Sequence, residues 1–135
     1  MTDFSGEWEL LPKESSFGFL PPPVSRLDLV AQTGDDLLVA TRQVDDNGDN
    51  TVERHLMVDG PPTQIQVLGR DRSISSRWDG TDLVVETRFE VSGRSRLIED
   101  RWSLSTDRER LSIRRRVEQT GGAVRQMLLF SRRHD

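Results

Sequence analysis

Asp100, Arg115 and Gln126 sit in three strand-like stretches, and alternation can bring them to one inward face among aromatic residues. If residues 105–110 turn the chain between two antiparallel strands with Leu104 opposite Leu111, Trp102 faces Ile113, Asp100 faces Arg115 and Ile98 faces Val117. The same reasoning across Gly121-Gly122 sets Arg115 opposite Leu128, Val117 opposite Gln126 and Ile113 opposite Phe130. Across Asp79-Gly80, taken as a two-residue turn, Trp78 faces Thr81, Ser76 faces Leu83, Ile74 faces Val85 and Arg72 faces Thr87. Leu83, Val85, Phe89 and Val91 are the apolar set of their strand, so Arg72, Ser76 and Thr87 share the inward face with them.

Three chemistries fit this constellation. A guanidinium from Arg72 or Arg115 can hold the anionic head of an amphipathic ligand while Trp102, Phe89 and Leu128 meet its apolar body. Asp100 and Arg115 can instead be a cross-strand pair that fixes register inside a filled barrel, which would make the chain a structural or interaction domain. The third possibility is an isomerase-like or hydrolase-like enzyme with Asp100 as acid/base. That requires a desolvated carboxyl with a raised pKa and no tight arginine partner. The residues favour binding over catalysis, and no catalytic residue is assigned.

Other chemistries lack their residues. Cysteine and tyrosine are absent and Lys13 is the only lysine, which removes thiolate sites, phenol acids and almost every Schiff-base candidate. The two histidines, His55 and His134, have no companion at metal-ligand spacing, so no metal is expected. Haem held by His55 alone is the weakest of the ligand readings, and no cofactor is expected. Asp45-Asp46-Asn47-Gly48-Asp49-Asn50 reads as a hairpin turn, because its glycine is fourth rather than sixth and Leu56 stands at the twelfth position, where a calcium loop has glutamate. No phosphate-loop, dinucleotide or Gly-x-Ser-x-Gly signature occurs.

At 135 residues the chain is read as one domain, 1–135. The net charge of −4 and pI near 5.2 supply no positive field for nucleic acid. No apolar run approaches the roughly 20 residues of a membrane span, and Met1-Thr2-Asp3 does not resemble a leader. The expected partner is a small hydrophobic or amphipathic molecule, with the chain a soluble monomer or homodimer. As the sequence stands it is cytoplasmic, although removal of a leader would leave the same sequence.

The elements that must position these residues are short and alternate with period two. After Phe4 to Leu11, strands are expected at about 24–32, 37–44, 51–58, 64–68, 72–78, 81–91, 97–104, 111–119 and 124–133. The breaks between them are rich in Gly, Asp and Asn. Between the first two strands, Pro21-Pro22-Pro23 forms a stiff spacer. Ser15 to Leu20 is expected to make a helical turn that tucks Phe17 or Phe19 over one barrel end. Hydrophobic residues make up only 33%, which suits thin walls with one wet face. The fold class is all-β, a single antiparallel up-and-down meander of eight to ten strands closed into a barrel.

In the first strand, Gly6-x-Trp8 lies on the inward side with Phe4 and Leu10, and the last strand carries Arg132 and Arg133. With the meander between them, the whole chain resembles the calycin superfamily of lipocalins and intracellular fatty-acid-binding proteins. The resemblance implies a ligand-binding barrel, a fatty-acid-like ligand, and closure by Gly6, Trp8 and an arginine packed over the tryptophan, either Arg132 or Arg133. It departs from the fatty-acid-binding proteins in the short, proline-rich 11–24 segment and in lacking the tyrosine of their carboxylate site. Trp8 is expected in the core, Trp78 at the rim and Trp102 on the cavity wall.

Overall fold

The computed structural model describes residues 2–119 and 121–134. Ten strands follow in order: β1 (Gly6–Leu10), β2 (Ser25–Thr33), β3 (Asp36–Asp45), β4 (Gly48–Met57), β5 (Thr63–Val67), β6 (Arg70–Asp79), β7 (Asp82–Val91), β8 (Arg94–Leu104), β9 (Arg110–Gln119) and β10 (Gly122–Arg132). They form one antiparallel sheet in the order β4-β3-β2-β1-β10-β9-β8-β7-β6-β5, wound into a nearly closed barrel whose two edges are β4 and β5. At one end of that seam, the Thr63 hydroxyl donates to the His55 carbonyl at 2.6 Å. No helix among the described residues is long and apolar enough to cross a membrane.

The hairpin across 105–110 has the expected register, with Leu104 opposite Leu111, Trp102 opposite Ile113 and Asp100 opposite Arg115. Two other hairpins differ from expectation by two residues. Asp79 pairs with Asp82, so the loop is Gly80-Thr81; Trp78 faces Leu83, and Ile74 rather than Arg72 faces Thr87. Gly122 pairs with Gln119, which sets Arg115 opposite Gln126 and Leu128 opposite Ile113. Because side chains alternate with period two, a shift of two leaves every residue on its expected face.

The inward side chains divide by height. At the end holding the chain start and the 79–82 and 104–111 turns they are apolar, and Phe4, Trp8, Leu37, Leu83, Trp102, Leu111, Ile113 and Phe130 are fully buried. The Phe4 ring meets Trp102 edge-on at 5.6 Å and stacks on Trp78 at 6.3 Å. Trp78 is half-buried beside its turn, its indole donating to Asp35 at 2.9 Å. Closure is made locally. The Trp8 indole donates to the Phe4 carbonyl at 2.9 Å, and the Arg132 guanidinium lies 4.3 Å over its ring. Arg132 also donates to the carbonyls of Ser5 and Arg108 at 2.9 and 3.0 Å. Gly6 has φ +143°, and a Cβ there would run into the Arg132 head, so glycine admits the arginine.

The opposite end is covered by the 11–24 connection. The expected helical turn at 15–20 is replaced by a 3-10 turn at Pro12–Glu14, after which the chain lies along β10. Ser16 and Met127 exchange backbone hydrogen bonds at 2.8 Å, and only a single turn follows, the Leu20 N–H donating to the Phe17 carbonyl at 3.2 Å. Phe17 tucks against the core while Phe19 is 76% exposed. Gly18, with φ +64°, runs close against Val124 and the Arg125 carbonyl, where a side chain would be both strained and crowded.

Candidate functional site

In the covered half of the barrel the inward face becomes polar. Strand β2 contributes Arg26 and Asp28, paired through a side-on fork with both contacts at 3.0 Å. Cross-strand neighbours supply a second fork, Arg115 Nε and Nη2 donating to Asp100 at 2.8 and 3.0 Å. Both carboxylates are buried, Asp28 fully and Asp100 to 4% exposure. Burial alone would raise their pKa values, but the facing guanidiniums outweigh it. Arg26 and its hydrogen bonds hold Asp28 below the ordinary carboxylate value, and Arg115 does the same for Asp100, with Arg54 adding to both. For Arg115, desolvation opposes its charge, and the Asp100 charge and hydrogen bonds raise its pKa against that.

Two further guanidiniums lack an acid partner. Arg54 on β4 is opposite Val39, a core residue, and so points inward. It makes no hydrogen bond or ion pair among the described residues, while the charges of Asp28, Arg26, Asp100 and Arg115 all reach it. Desolvation is the main effect on it and lowers its pKa. Arg72 on β6 stacks 4.6 Å over the Phe89 ring, with its Nε buried and unpaired. Desolvation, then repulsion from Arg115, lowers its pKa too. The Ser76 hydroxyl and Trp102 indole nitrogen are also buried without partners.

Beneath the 11–24 segment lies a cavity of about 260 Å³. Arg26, Gln43, Arg115 and Gln126 give it polar walls, and Leu10, Phe17, Ile98, Val117 and Leu128 are among its apolar ones. A larger hollow, about 710 Å³, lies on the outer face of β1–β4 over Leu29, Ala31, Leu38 and Ala40. It is shallow and open, and its outward-pointing side chains are mainly apolar. Arg54 is among the residues around this hollow, Arg72 shares a separate pocket with Phe89, and neither is in the walls of the 260 Å³ cavity.

The expected site residues divide accordingly. Arg115, Gln126 and Leu128 line the cavity, but the Gln126 amide donates to the Phe17 carbonyl at 3.1 Å, holding the plug in place. Asp100 lies behind Arg115. Arg72 and Phe89 form their own stack, and Thr87 is buried opposite Ile74 and Ile98. Trp102 is at the packed end and is absent from the cavity walls, because alternation specifies a face but no height along the barrel. Arg26, Asp28, Arg54 and Gln43 were not anticipated. His55 faces outward beside Asp36, and His134 contacts Glu109. No group of three or more His, Cys, Asp or Glu that could hold a metal occurs among the described residues.

The buried pairs set an acid limit. Their folded pKa values lie below that of an ordinary aspartate, so their stabilisation is complete above the ordinary value and is lost as pH falls through the depressed ones. The urea midpoint is therefore expected to stay level from pH 7 to 5 and to fall below about pH 4. A decline beginning near pH 6 would contradict this assignment.

No protein-family model matches the chain, and a search of curated proteins finds no match either. Solved structures do match. Secretory abundant heat soluble protein 4 from Ramazzottius varieornatus aligns with TM-score 0.71 and 14% identity over 99% of each chain. Zebrafish ileal bile acid-binding protein complexed with cholic acid aligns with TM-score 0.68 and 14% identity, covering 96% of this chain and 98% of that one. The fatty-acid-binding protein from Manduca sexta aligns with TM-score 0.58 and 11% identity over 96% and 99%. At such identities the likeness is one of fold: the chain shares with these proteins a ten-stranded antiparallel up-and-down barrel, here with Arg132 packed over Trp8 where the first strand meets the last.

Proposed function

We propose that the chain binds a small amphipathic anion inside the barrel, its apolar part in the cavity beneath the 11–24 segment and its head reaching past Arg115 toward the unpaired guanidiniums, which lie outside the cavity walls. The observation that carries this is the charge inventory of the interior. Arg26 and Arg115 are each committed to an aspartate, whereas Arg54 and Arg72 point inward with none. A desolvated cation without a counter-charge is costly, and an entering anion removes that cost. The head-binding role expected of Arg115 passes in this reading to Arg54 and Arg72. The solved relatives that bear on ligand class are the fatty-acid-binding protein and the cholic acid complex. At about 260 Å³ the cavity lies just below the roughly 300–1,000 Å³ of pockets that take drug-sized molecules, which favours short chains.

The enzymatic alternative has less support. Asp100 is forked to Arg115 and its pKa is lowered, the reverse of what an acid/base at neutral pH requires.

Calorimetric titration with octanoate and with octanol tests the proposal. A charge-assisted hydrogen bond contributes about 1.5–3 kcal/mol, so octanoate is expected to bind at least tenfold more tightly than octanol. Arg54→Gln is expected to remove most of that preference in a folded protein. Equal binding of acid and alcohol, or no binding of either, would contradict it.

A further inference from the structure

Strands β2 and β3 carry an apolar patch on the outside of the barrel. With Val30 and Val39 in the core, alternation turns Leu29, Ala31, Leu38 and Ala40 outward, and they floor the hollow of about 710 Å³. Cross-strand pairing sets Leu29 beside Ala40 and Ala31 beside Leu38, so each leucine is bordered by an alanine. Both leucines are exposed, and exposed apolar patches rimmed by polar residues mark contact sites.

The rim of this patch is acidic on both sides. Glu7 on β1 is opposite Leu29 and Glu53 on β4 is opposite Ala40, so one row runs Glu7, Leu29, Ala40, Glu53 across four strands. At about 4.8 Å per strand the two glutamates stand about 14 Å apart. Glu9 follows Glu7 on the same side of β1. The carboxylates of these three glutamates make no hydrogen bond or ion pair among the described residues, whereas Glu14, Glu86, Glu109 and Glu118 each have an arginine at 3.2–3.6 Å. The neighbouring cations are engaged or turned away. Arg42 is forked to Asp49, His55 lies 3.5 Å from Asp36, Arg54 points inward, and Arg133 stands beside Glu7 on the β10 side, away from the floor.

We infer that this face docks an amphipathic α-helix of another protein, its apolar stripe on the floor and lysines or arginines along both edges of the stripe. Strands β2 and β3 are each paired on both sides, so an incoming strand finds no free backbone there and the contact is made through side chains. A helix with its side chains is about 10–12 Å across, so cations on its two edges reach carboxylates about 14 Å apart. The hollow is shallow and open, which suits a helix laid along it and would leave most of a small ligand in water. A second copy presenting the same face would bring Glu7, Glu9 and Glu53 against their own kind. The helix comes from elsewhere, because the only helical element among the described residues is the 3-10 turn Pro12–Glu14. The inference is independent of the interior anion site.

Fluorescein-labelled peptides of about 18 leucines and lysines, long enough to hold a helix, test this by anisotropy against the full chain. One places its leucines with helical period, a second replaces every lysine of the first by glutamate, and a third scrambles the first so that no apolar face forms. The first is expected to bind at least tenfold more tightly than either of the others. Glu7→Gln with Glu53→Gln is expected to weaken it about three- to tenfold and to flatten its salt dependence, as loss of two exposed ion pairs should. Leu38→Asp, at an exposed position, is expected to weaken it at least tenfold with little change in the urea midpoint. Amide shifts on adding the first peptide should cluster at Leu29, Ala31, Leu38 and Ala40. Equal binding of the scrambled or the acidic peptide, shifts lying elsewhere, or no binding of the first at about 100 μM would overturn the inference. So would a chain that sediments alone as a dimer and is dissociated by Leu38→Asp, since the face would then belong to a second copy.

Discussion

Asp100→Asn is expected to cost about 3–5 kcal/mol of stability, although it changes neither the size nor the shape of the side chain. The substitution removes one negative charge from a region where Arg115 is forked to that carboxylate and where Arg54 and Arg26 are within electrostatic reach. Arg115 would remain buried with a neutral partner, and the interior would hold three excess positive charges. The paired change Asp100→Val with Arg115→Met removes both charges and is expected to return the protein to within about 1 kcal/mol of the parent, or above it. Urea unfolding followed by tryptophan fluorescence measures both. A loss under about 1 kcal/mol for Asp100→Asn alone would mean that water, not protein, surrounds this pair.

Trp8→Ala should be about as damaging, at about 3–5 kcal/mol, by a different mechanism. Trp8 is fully buried where the first strand meets the last, and three interactions depend on its ring. The indole satisfies the Phe4 carbonyl, the ring surface carries the Arg132 guanidinium, and Arg132 in turn ties down Ser5 and Arg108. Trp8→Phe keeps a ring in place but leaves the Phe4 carbonyl unpaired, and about 1–3 kcal/mol is expected for it. Similar losses for the two variants would show that the hydrogen bond, and not the packing, dominates the closure.

Much of the fold was legible because the turn chemistry is regular and the strands on either side alternate. The Asp100–Arg115 pair could be read because the 105–110 loop is flanked by Leu104 and Leu111, which fix its register. Two other hairpins were misread by two residues with no effect on which side chains point inward. The site was less legible for a physical reason located in β2 and β3. There the apolar residues Leu29 and Leu38 face outward, 42% and 59% exposed, while Arg26 and Asp28 face inward. Period-two hydrophobicity, the signal that oriented the other strands, reverses at this point, so Arg26 and Asp28 were invisible to it. Arg54 was missed although its strand carried the signal: Val52, Leu56 and Val58 alternate onto the same face, and Val39 lies opposite it. Trp102 shows the complementary limit, since its face was correct and its depth was not.

The most direct measurement is side-chain and backbone nitrogen NMR of the protein titrated with octanoate. The Nε–Hε signals of Arg54 and Arg72 are expected to shift first and furthest, with the amides of Arg26, Gln43 and Leu128 following. Shifts confined to Leu29, Leu38 and their outer neighbours, or no shifts at millimolar ligand, would contradict an anion site inside the barrel.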